Sequence, residues 1–396
     1  MSHLFGWLIG GYGESEGPVI RSAGAIGPED QHATTAGLRQ PARCAMDFGV
    51  QFFPAIGPAR KSPAQYWDEA LQLTQLAEQL GYGHVRTVEH YFHPYGGYSP
   101  DPLIFLSAAA ALTHKIRLIT GAVLPVFNNP LKLAGQIGMV DAISKGRLEV
   151  GFARAFLPHE FGRFGISMDE SRARFDEGLE QIRLLLTEEN VTFRGRFHNI
   201  EKVTSQPRPT QTPRPPFWIA ALSTKDSFEN AGRLGHDLMG IPLAGAQIAE
   251  LIQVYRHAWS AAGHPGRGRV MLAFHMFCAE SREQATAIAR EPLNTYLKSI
   301  VDAASEWMSG VASKDYPNYR KMIEFISKES FESQVAKGSA WIGTPDDIRK
   351  VIACYDAQVD GFESASLQVN FGTIGQADAE RSMTLFAREV MPHFQK

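Results

Sequence analysis

A carboxyl and an imidazole stand side by side at Glu89-His90, within the run Val88-Glu89-His90-Tyr91-Phe92-His93. The residues before them, His84–Val88, read as a strand, so the pair falls where a strand ends. An acid and a histidine in that position can move protons near neutral pH, and a histidine held by hydrogen bonds for packing alone is the equally open alternative. A zinc site at His90 and His93 is not expected, because no further Cys or His cluster nearby completes a ligand set.

Cationic and hydroxylic residues recur at other strand ends. In Arg147-Leu148-Glu149-Val150-Gly151-Phe152-Ala153-Arg154-Ala155, small residues and an arginine appear where the chain leaves a strand. Small side chains let a flat ligand lie against the backbone, and a guanidinium fork holds a phosphate or carboxylate. A surface arginine over a packed strand end is the competing reading, and Arg172 in Ser171-Arg172-Ala173-Arg174 carries the same two. Ser223, Thr224 and Ser227 crowd the start of a helical run, more hydroxyls than one N-cap needs, where unpaired N–H groups attract an anion. Gly121-Ala122, followed by Leu124-Pro125, suggests a bulge or a close backbone approach.

The elements that must position these residues alternate from Met46 onward. A strand at Asp47–Phe53 leads to a helix with Ser62 as N-cap, Pro63 at its first position and Gly81 as its stop. Strands follow at His84–Val88, Ile116–Leu124, Arg147–Ala153, Phe217–Ala220, Asp237–Met239, Val270–Cys278 and near Ser366–Val369. Helices are expected at Pro102–Leu112, Pro130–Ile143, Phe175–Leu186, Lys225–Leu234, Ile248–Ala262, Asp346–Tyr355 and in a last segment ending near Val390, with a hairpin around Gly195. Eight buried strands with intervening helices predict an α/β fold, a single (β/α)8 TIM barrel with insertions, rather than two Rossmann-like halves. No strand is followed by a Gly-rich phosphate turn. In such a barrel the C-terminal strand ends and their loops build the active site, which is where the residues above fall. The segment Ile300–Ser339, with Tyr316-Pro317-Asn318-Tyr319, reads as a lid over that end. Residues 1–45 lack helical or strand period and are expected to be a disordered N-terminal extension or an overlong translation start, leaving 46–396 as the folded domain.

Composition removes several classes of function. The 396 residues are 44% hydrophobic and 20% charged, a balance suited to a large buried core. A net charge of -3 gives no field drawing the chain to nucleic acid or an anionic membrane. The longest apolar runs fall short of the roughly 20 residues of a membrane helix. Cys44, Cys278 and Cys354 are far apart and form no C-x-x-C pair, which suits free thiols in a cytoplasmic protein. There is no G-x-S-x-G, Walker A or H-E-x-x-H motif.

Together these residues resemble the bacterial luciferase-like, flavin-dependent monooxygenase family from Met46 to about Phe394. The resemblance is densest at Val88–Phe92, Leu124–Pro125, Met139–Arg147 and Phe161–Arg172, and returns at Gly343-Thr344-Pro345-Asp346 and Met383–Met391. It implies a luciferase-like barrel that binds FMN, delivered reduced by a separate NAD(P)H-dependent flavin reductase, and that uses O2 through a C4a-peroxyflavin to oxygenate a small organic substrate. It implies that His90 is the active-site histidine, that Arg154 contacts the flavin, that Arg172 binds its phosphate, and that Ser223, Thr224 and Ser227 form the phosphate loop. Thr120, Gly121 and Ala122 fall where the family often carries a non-prolyl cis peptide under the flavin, and Ala153 stands where luciferase has a reactive cysteine beside it. An anionic tail suits an arginine and helix N–H groups, and a lid would keep water from the reactive flavin. Tyr91 in place of a second histidine, Ala153 in place of cysteine and Asn129 where histidine is usual depart from the luciferase pattern. Oxygenation of a metabolite is therefore expected rather than light emission. The resemblance also implies a homodimer or a luciferase-like heterodimer. Hydride transfer with the deazaflavin F420 and a noncatalytic flavin-binding partner subunit remain alternatives, the latter disfavoured by His90.

Overall fold

The structure is a computed structural model that describes residues 45–242 and 245–395. The expectation for residues 1–45 lies, apart from Ala45, outside the described residues. Strands and helices follow in the order β1 (Asp47–Phe52), α1 (Pro63–Leu80), β2 (His84–Thr87), α2 (Pro102–Leu112), β3 (Arg117–Val123), α3 (Pro130–Ile143), β4 (Leu148–Phe152), α4 (Pro158–Phe164) and α5 (Ser171–Thr187). Then come β5 (Val191–Arg194), β6 (Asn199–Val203), β7 (Phe217–Ala220), α6 (Lys225–Arg233), β8 (Asp237–Gly240), α7 (Gly245–Ala261) and β9 (Val270–Cys278). The chain continues through α8 (Arg282–Ala303), α9 (Ser305–Met308), α10 (Tyr319–Ile326), α11 (Phe331–Ala336), β10 (Ala340–Gly343), α12 (Pro345–Gln358), β11 (Ser364–Gln368) and α13 (Gln376–Glu389).

Eight parallel strands in the order β9, β11, β1, β2, β3, β4, β7, β8 close on themselves, because β8 also pairs with β9. This is the (β/α)8 barrel expected from the alternation of elements. Local chemistry starts its helices at the same end. Ser62, Asp101 and Asn129 each accept a backbone N–H of the first turn, and each is followed by the proline whose fixed φ suits that position. Gly81, at φ 84°, ends α1 and turns the chain into β2.

Alternation along each strand divides two cores. Phe48, Val50 and Phe52 face outward and pack with Leu73, Ala77 and Leu106 in the layer between strands and helices. Inside the barrel, Ile119, Trp218, Met239 and Met271 form a separate apolar plug. Below it, near the N-terminal strand ends, the buried Glu149 accepts from Trp218 Nε1 at 2.5 Å and Arg269 Nη2 at 3.1 Å, and also pairs with Arg117. Burial pushes the Glu149 carboxyl up, but Arg269 and Arg117 prevail and hold it below its usual range.

Three features differ from the sequence expectation, the first being α4 (Pro158–Phe164), a helix it did not place. The wall helix α8 runs to Ala303, so the segment over the barrel mouth begins after Ala303 rather than at Ile300, and it is folded into α9, α10 and α11. The short β10, not foreseen, pairs with the outer half of β9 from Ala340–His275 to Gly343–Cys278. Four residues between a lid and a proline-started helix are too few to show a period.

Candidate active site

The C-terminal strand ends surround a cavity. Its wall takes Gln51 and Phe53 from β1 and the residue after it, Arg86 from β2 and Val88, Glu89 and His90 just beyond. Gly121, Ala122 and Leu124 come from β3 and its end, Ala153, Arg154 and Phe156 from the chain leaving β4, and Ala220, Thr224 and Ser227 from β7 and α6. His275 and Gln368 come from β9 and β11, and Tyr296, Ile300, Tyr319 and Ile326 come from α8 and α10. The middle is thin-walled, since Ala122, Ala153, Ala155 and Ala220 present methyl groups where larger side chains would fill the space. Gly151 beneath them has no room for a side chain, as its Cβ would lie 2.2 Å from the carbonyl oxygen of Thr120.

His90 is 8% exposed, and its Nδ1 lies 3.0 Å from Oε1 of Glu160 on the first turn of α4. That oxygen also accepts the Tyr91 backbone N–H at 2.9 Å, while Glu160 Oε2 has no partner and the whole residue is buried. With Nδ1 donating to the carboxylate, Nε2 is left to the cavity. The rings of Phe53, Tyr95 and Phe156 surround the imidazole at centroid distances of 5.6, 5.3 and 6.1 Å. Gly96, at φ 80°, permits this arrangement, because a Cβ there would come within 2.6 Å of His90 Cβ.

Glu89 is directed elsewhere. Its Oε1 accepts from Tyr91 OH at 2.5 Å and Asn128 Nδ2 at 2.9 Å, and its Oε2 accepts the Leu124 N–H at 2.9 Å. Burial outweighs these donors and pushes the carboxyl up to about 8, so that it carries a proton at neutral pH.

The opposite end of the cavity is cationic and hydroxylic. Thr224 is the N-cap of α6, yet its side chain makes no capping bond. Arg154 donates from Nη1 to the Asp315 carbonyl at 3.3 Å, and its guanidinium lies 4.8 Å from the Tyr316 ring centre. Arg154 and Ser227 also border an adjoining depression that takes Arg172, Asp176, Arg183 and Arg233. Burial raises the Asp176 carboxyl despite Arg172 and Arg154 nearby. Over this end the lid is fastened to the loop after β4, through Trp307 Nε1 donating to the Phe156 carbonyl at 2.9 Å and Tyr316 OH donating to the Ala155 carbonyl at 2.8 Å.

Of the residues expected from the sequence, His90, Gly121, Ala122, Ala153, Arg154, Thr224 and Ser227 meet at the cavity. Arg172 stands in the adjoining depression. Ser223 is half-buried beside the wall without entering it. Thr120 is fully buried, its hydroxyl donating to the Gly151 carbonyl at 2.9 Å and accepting the Gly151 N–H at 2.8 Å. The Gly121–Ala122 peptide is cis. Sequence reasoning missed Glu160 and Arg86. The only hint of either was that a histidine at a strand end needs a partner. Among the described residues no cluster of three His, Cys, Asp or Glu side chains could hold a metal, and no helix is long and apolar enough to cross a membrane. A thin apolar slot with an imidazole on one side and an arginine, two hydroxyls and a helix N-terminus at one end can hold a flat ring bearing an anionic tail.

Residues 46–360 match the family model described as luciferase-like monooxygenase. The chain is 32% identical over 341 residues to the oxygenase component of the flavin-dependent trigonelline monooxygenase of Acinetobacter baylyi, covering 85% of this chain and 92% of that one. Among solved structures, monooxygenase RslO1 from Streptomyces bottropensis superposes with a TM-score of 0.80 at 43% identity, over 88% of this chain and 100% of that one. The oxygenating constituent of 3,6-diketocamphane monooxygenase from Pseudomonas putida, solved with FMN, shares the fold with a TM-score of 0.76 at 20% identity, over 88% of this chain and 98% of that one.

Proposed function

This chain belongs to the luciferase-like monooxygenase family, and on that premise we propose that it is the oxygenase component of a two-component system, using reduced FMN and O2 to oxygenate a small organic substrate. The observation that carries the reading is the His90–Glu160 pair at one side of a thin apolar slot whose far end is Arg154, Thr224 and Ser227. Bound in the slot, reduced flavin would supply the two electrons that activate O2.

The chain's own residues supply the rest. Arg154, with Arg172 in the adjoining depression, meets the charge of the phosphate, while Thr224, Ser227 and the start of α6 offer it hydroxyls and N–H groups. Ala122, Ala153 and Ala220 leave width for the ring. Glu160 fixes the imidazole so that His90 Nε2 can take or give a proton at the reacting edge. Glu89, protonated at neutral pH, adds no negative charge to the slot. The lid helices keep water from the site.

The reading includes a separate flavin reductase and pairing with a second luciferase-like chain through α2 and α3, whose Ile104, Leu112, Met139 and Ile143 are exposed. It also includes a cytoplasmic setting, which suits the free thiols of Cys278 and Cys354. The test is anaerobic titration with reduced FMN, followed by admission of 18O2 in the presence of a metabolite mixture. Binding of reduced FMN and one labelled oxygen in a product are expected. Uptake of F420 in preference to FMN, with hydride transfer and no oxygen consumption, would overturn the proposal.

A further inference from the structure

The barrel register sets four polar side chains on one rung. Gln51 lies opposite Arg86 on β2 and opposite Gln368 on β11, and Gln368 lies opposite His275 on β9. All four line the cavity, where Arg86 lies opposite Ile119 and against Met239 and Met271 of the plug, and His275 packs against Tyr296 at a ring-centroid distance of 4.4 Å. Arg86 is 6% exposed. It donates from Nη2 to Gln51 Oε1, and its Nη1 has only the sulfurs of Met239 at 3.6 Å and Met271 at 3.9 Å, which are weak acceptors. Its Nε has no partner, nor has Gln368 Oε1 or His275 Nε2.

This guanidinium lacks a counter-ion among the described residues. No carboxylate pairs with it; of the two carboxyls on the cavity wall, Glu329 is paired with Lys337, and Glu89 is pushed up to about 8 by burial and is neutral at pH 7. Burial also pushes His275 down to about 3, so the rung holds a single cation. Burial moves the arginine down only to about 10, so it stays charged. A buried charge without its opposite is costly, and a methionine in its place would pack against the plug at no such cost. The cost is recovered when an anion reaches the guanidinium, whose planar fork takes oxygen pairs best.

We propose that Arg86, flanked by Gln51 and Gln368, is an anion receptor on the cavity wall that selects a planar, negatively charged oxygen edge on the molecule bound there. Two sources carry that chemistry: a carboxylate or enolate of the substrate, or the deprotonated pyrimidinedione edge of reduced flavin. Only the second source rests on the function proposed above.

The experiment compares wild type, Arg86→Met and Gln51→Glu by titration calorimetry at neutral pH in two arms. One arm sets benzoate against the neutral isostere benzamide on flavin-free protein, and the other sets reduced against oxidised FMN under anaerobic conditions. In the wild type the anionic member of at least one pair binds about tenfold tighter or better, and both substitutions bring that preference to within about twofold. Gln51→Glu keeps the arginine in place and supplies a resident carboxylate, so it decides the matter if Arg86→Met fails to fold. Preference in the benzoate arm assigns the receptor to substrate, and preference in the flavin arm assigns it to the cofactor. If the wild type shows neither preference, or a preference survives in every folded variant, the proposal is wrong. A wild type that ignores both forms of FMN yet prefers benzoate would overturn the proposed function and leave the receptor standing.

Discussion

One oxygen of Glu160 holds both His90 Nδ1, at 3.0 Å, and the backbone nitrogen of Tyr91, at 2.9 Å. A single buried carboxylate thus sets the ring and the peptide that follows it. Replacing His90 by Ala is expected to lower coupled turnover by roughly two orders of magnitude, the scale of a lost acid–base group. Added imidazole should restore part of it. Glu160→Gln keeps the volume and an accepting oxygen, so its loss should be smaller, about tenfold. Steady-state product formation in the three proteins checks the order.

Arg154 predicts a difference between two ligands. Arg154→Ala should weaken FMN by roughly tenfold or more and leave riboflavin, which lacks the phosphate, little changed. Fluorescence quenching titrations with the two flavins give the ratio. Equal weakening of both would place the arginine away from the phosphate.

Glu89 couples stability to pH. Its carboxyl is pushed up to about 8 by burial, so between the ordinary glutamate range and that value the folded protein keeps a proton that the unfolded chain has released. Stability from this group is fully present in acid and falls as pH rises through that window, by at most about 1.4 kcal/mol per pH unit. Glu89→Gln, neutral throughout, escapes the loss, so its melting temperature should gain on the wild type from about pH 5 to about pH 8. Parallel melting curves of the two proteins across that range would contradict the assignment.

Gly96 supports the histidine from behind. Alanine there meets both a φ of 80° and a Cβ 2.6 Å from that of His90. Gly96→Ala should cost about 1–3 kcal/mol in denaturant unfolding and, in the protein that still folds, depress turnover by shifting the imidazole.

Tyr316 joins the lid to the loop that carries Arg154. Tyr316→Phe keeps the ring beside the guanidinium and removes the hydroxyl that donates to the Ala155 carbonyl at 2.8 Å. The expected result is leakage, with more of the oxygen consumed appearing as hydrogen peroxide and less as product. Peroxide assay against product yield measures it.

The sequence made the barrel legible because its punctuation is local. Ser62-Pro63, Asp101-Pro102 and Asn129-Pro130 start helices by capping chemistry that acts within a few residues. His90 and Arg154 were legible for a related reason, since each lies just beyond a strand, and Thr224 and Ser227 because they crowd the start of a helix. Glu160 was not, because its partner is 70 residues away and a glutamate in a first helical turn has a sufficient local explanation in the helix dipole. Arg86 was hidden inside His84–Thr87, where a lone arginine gives no sign of facing inward until the register with β1 is known.

The apolar plug of Ile119, Trp218, Met239 and Met271, with the Glu149 ion network beneath it, blocks the barrel axis below the cavity. A vessel sealed at its base admits nothing from beneath, so whatever settles against the plug must come in and go out past the residues of the rim.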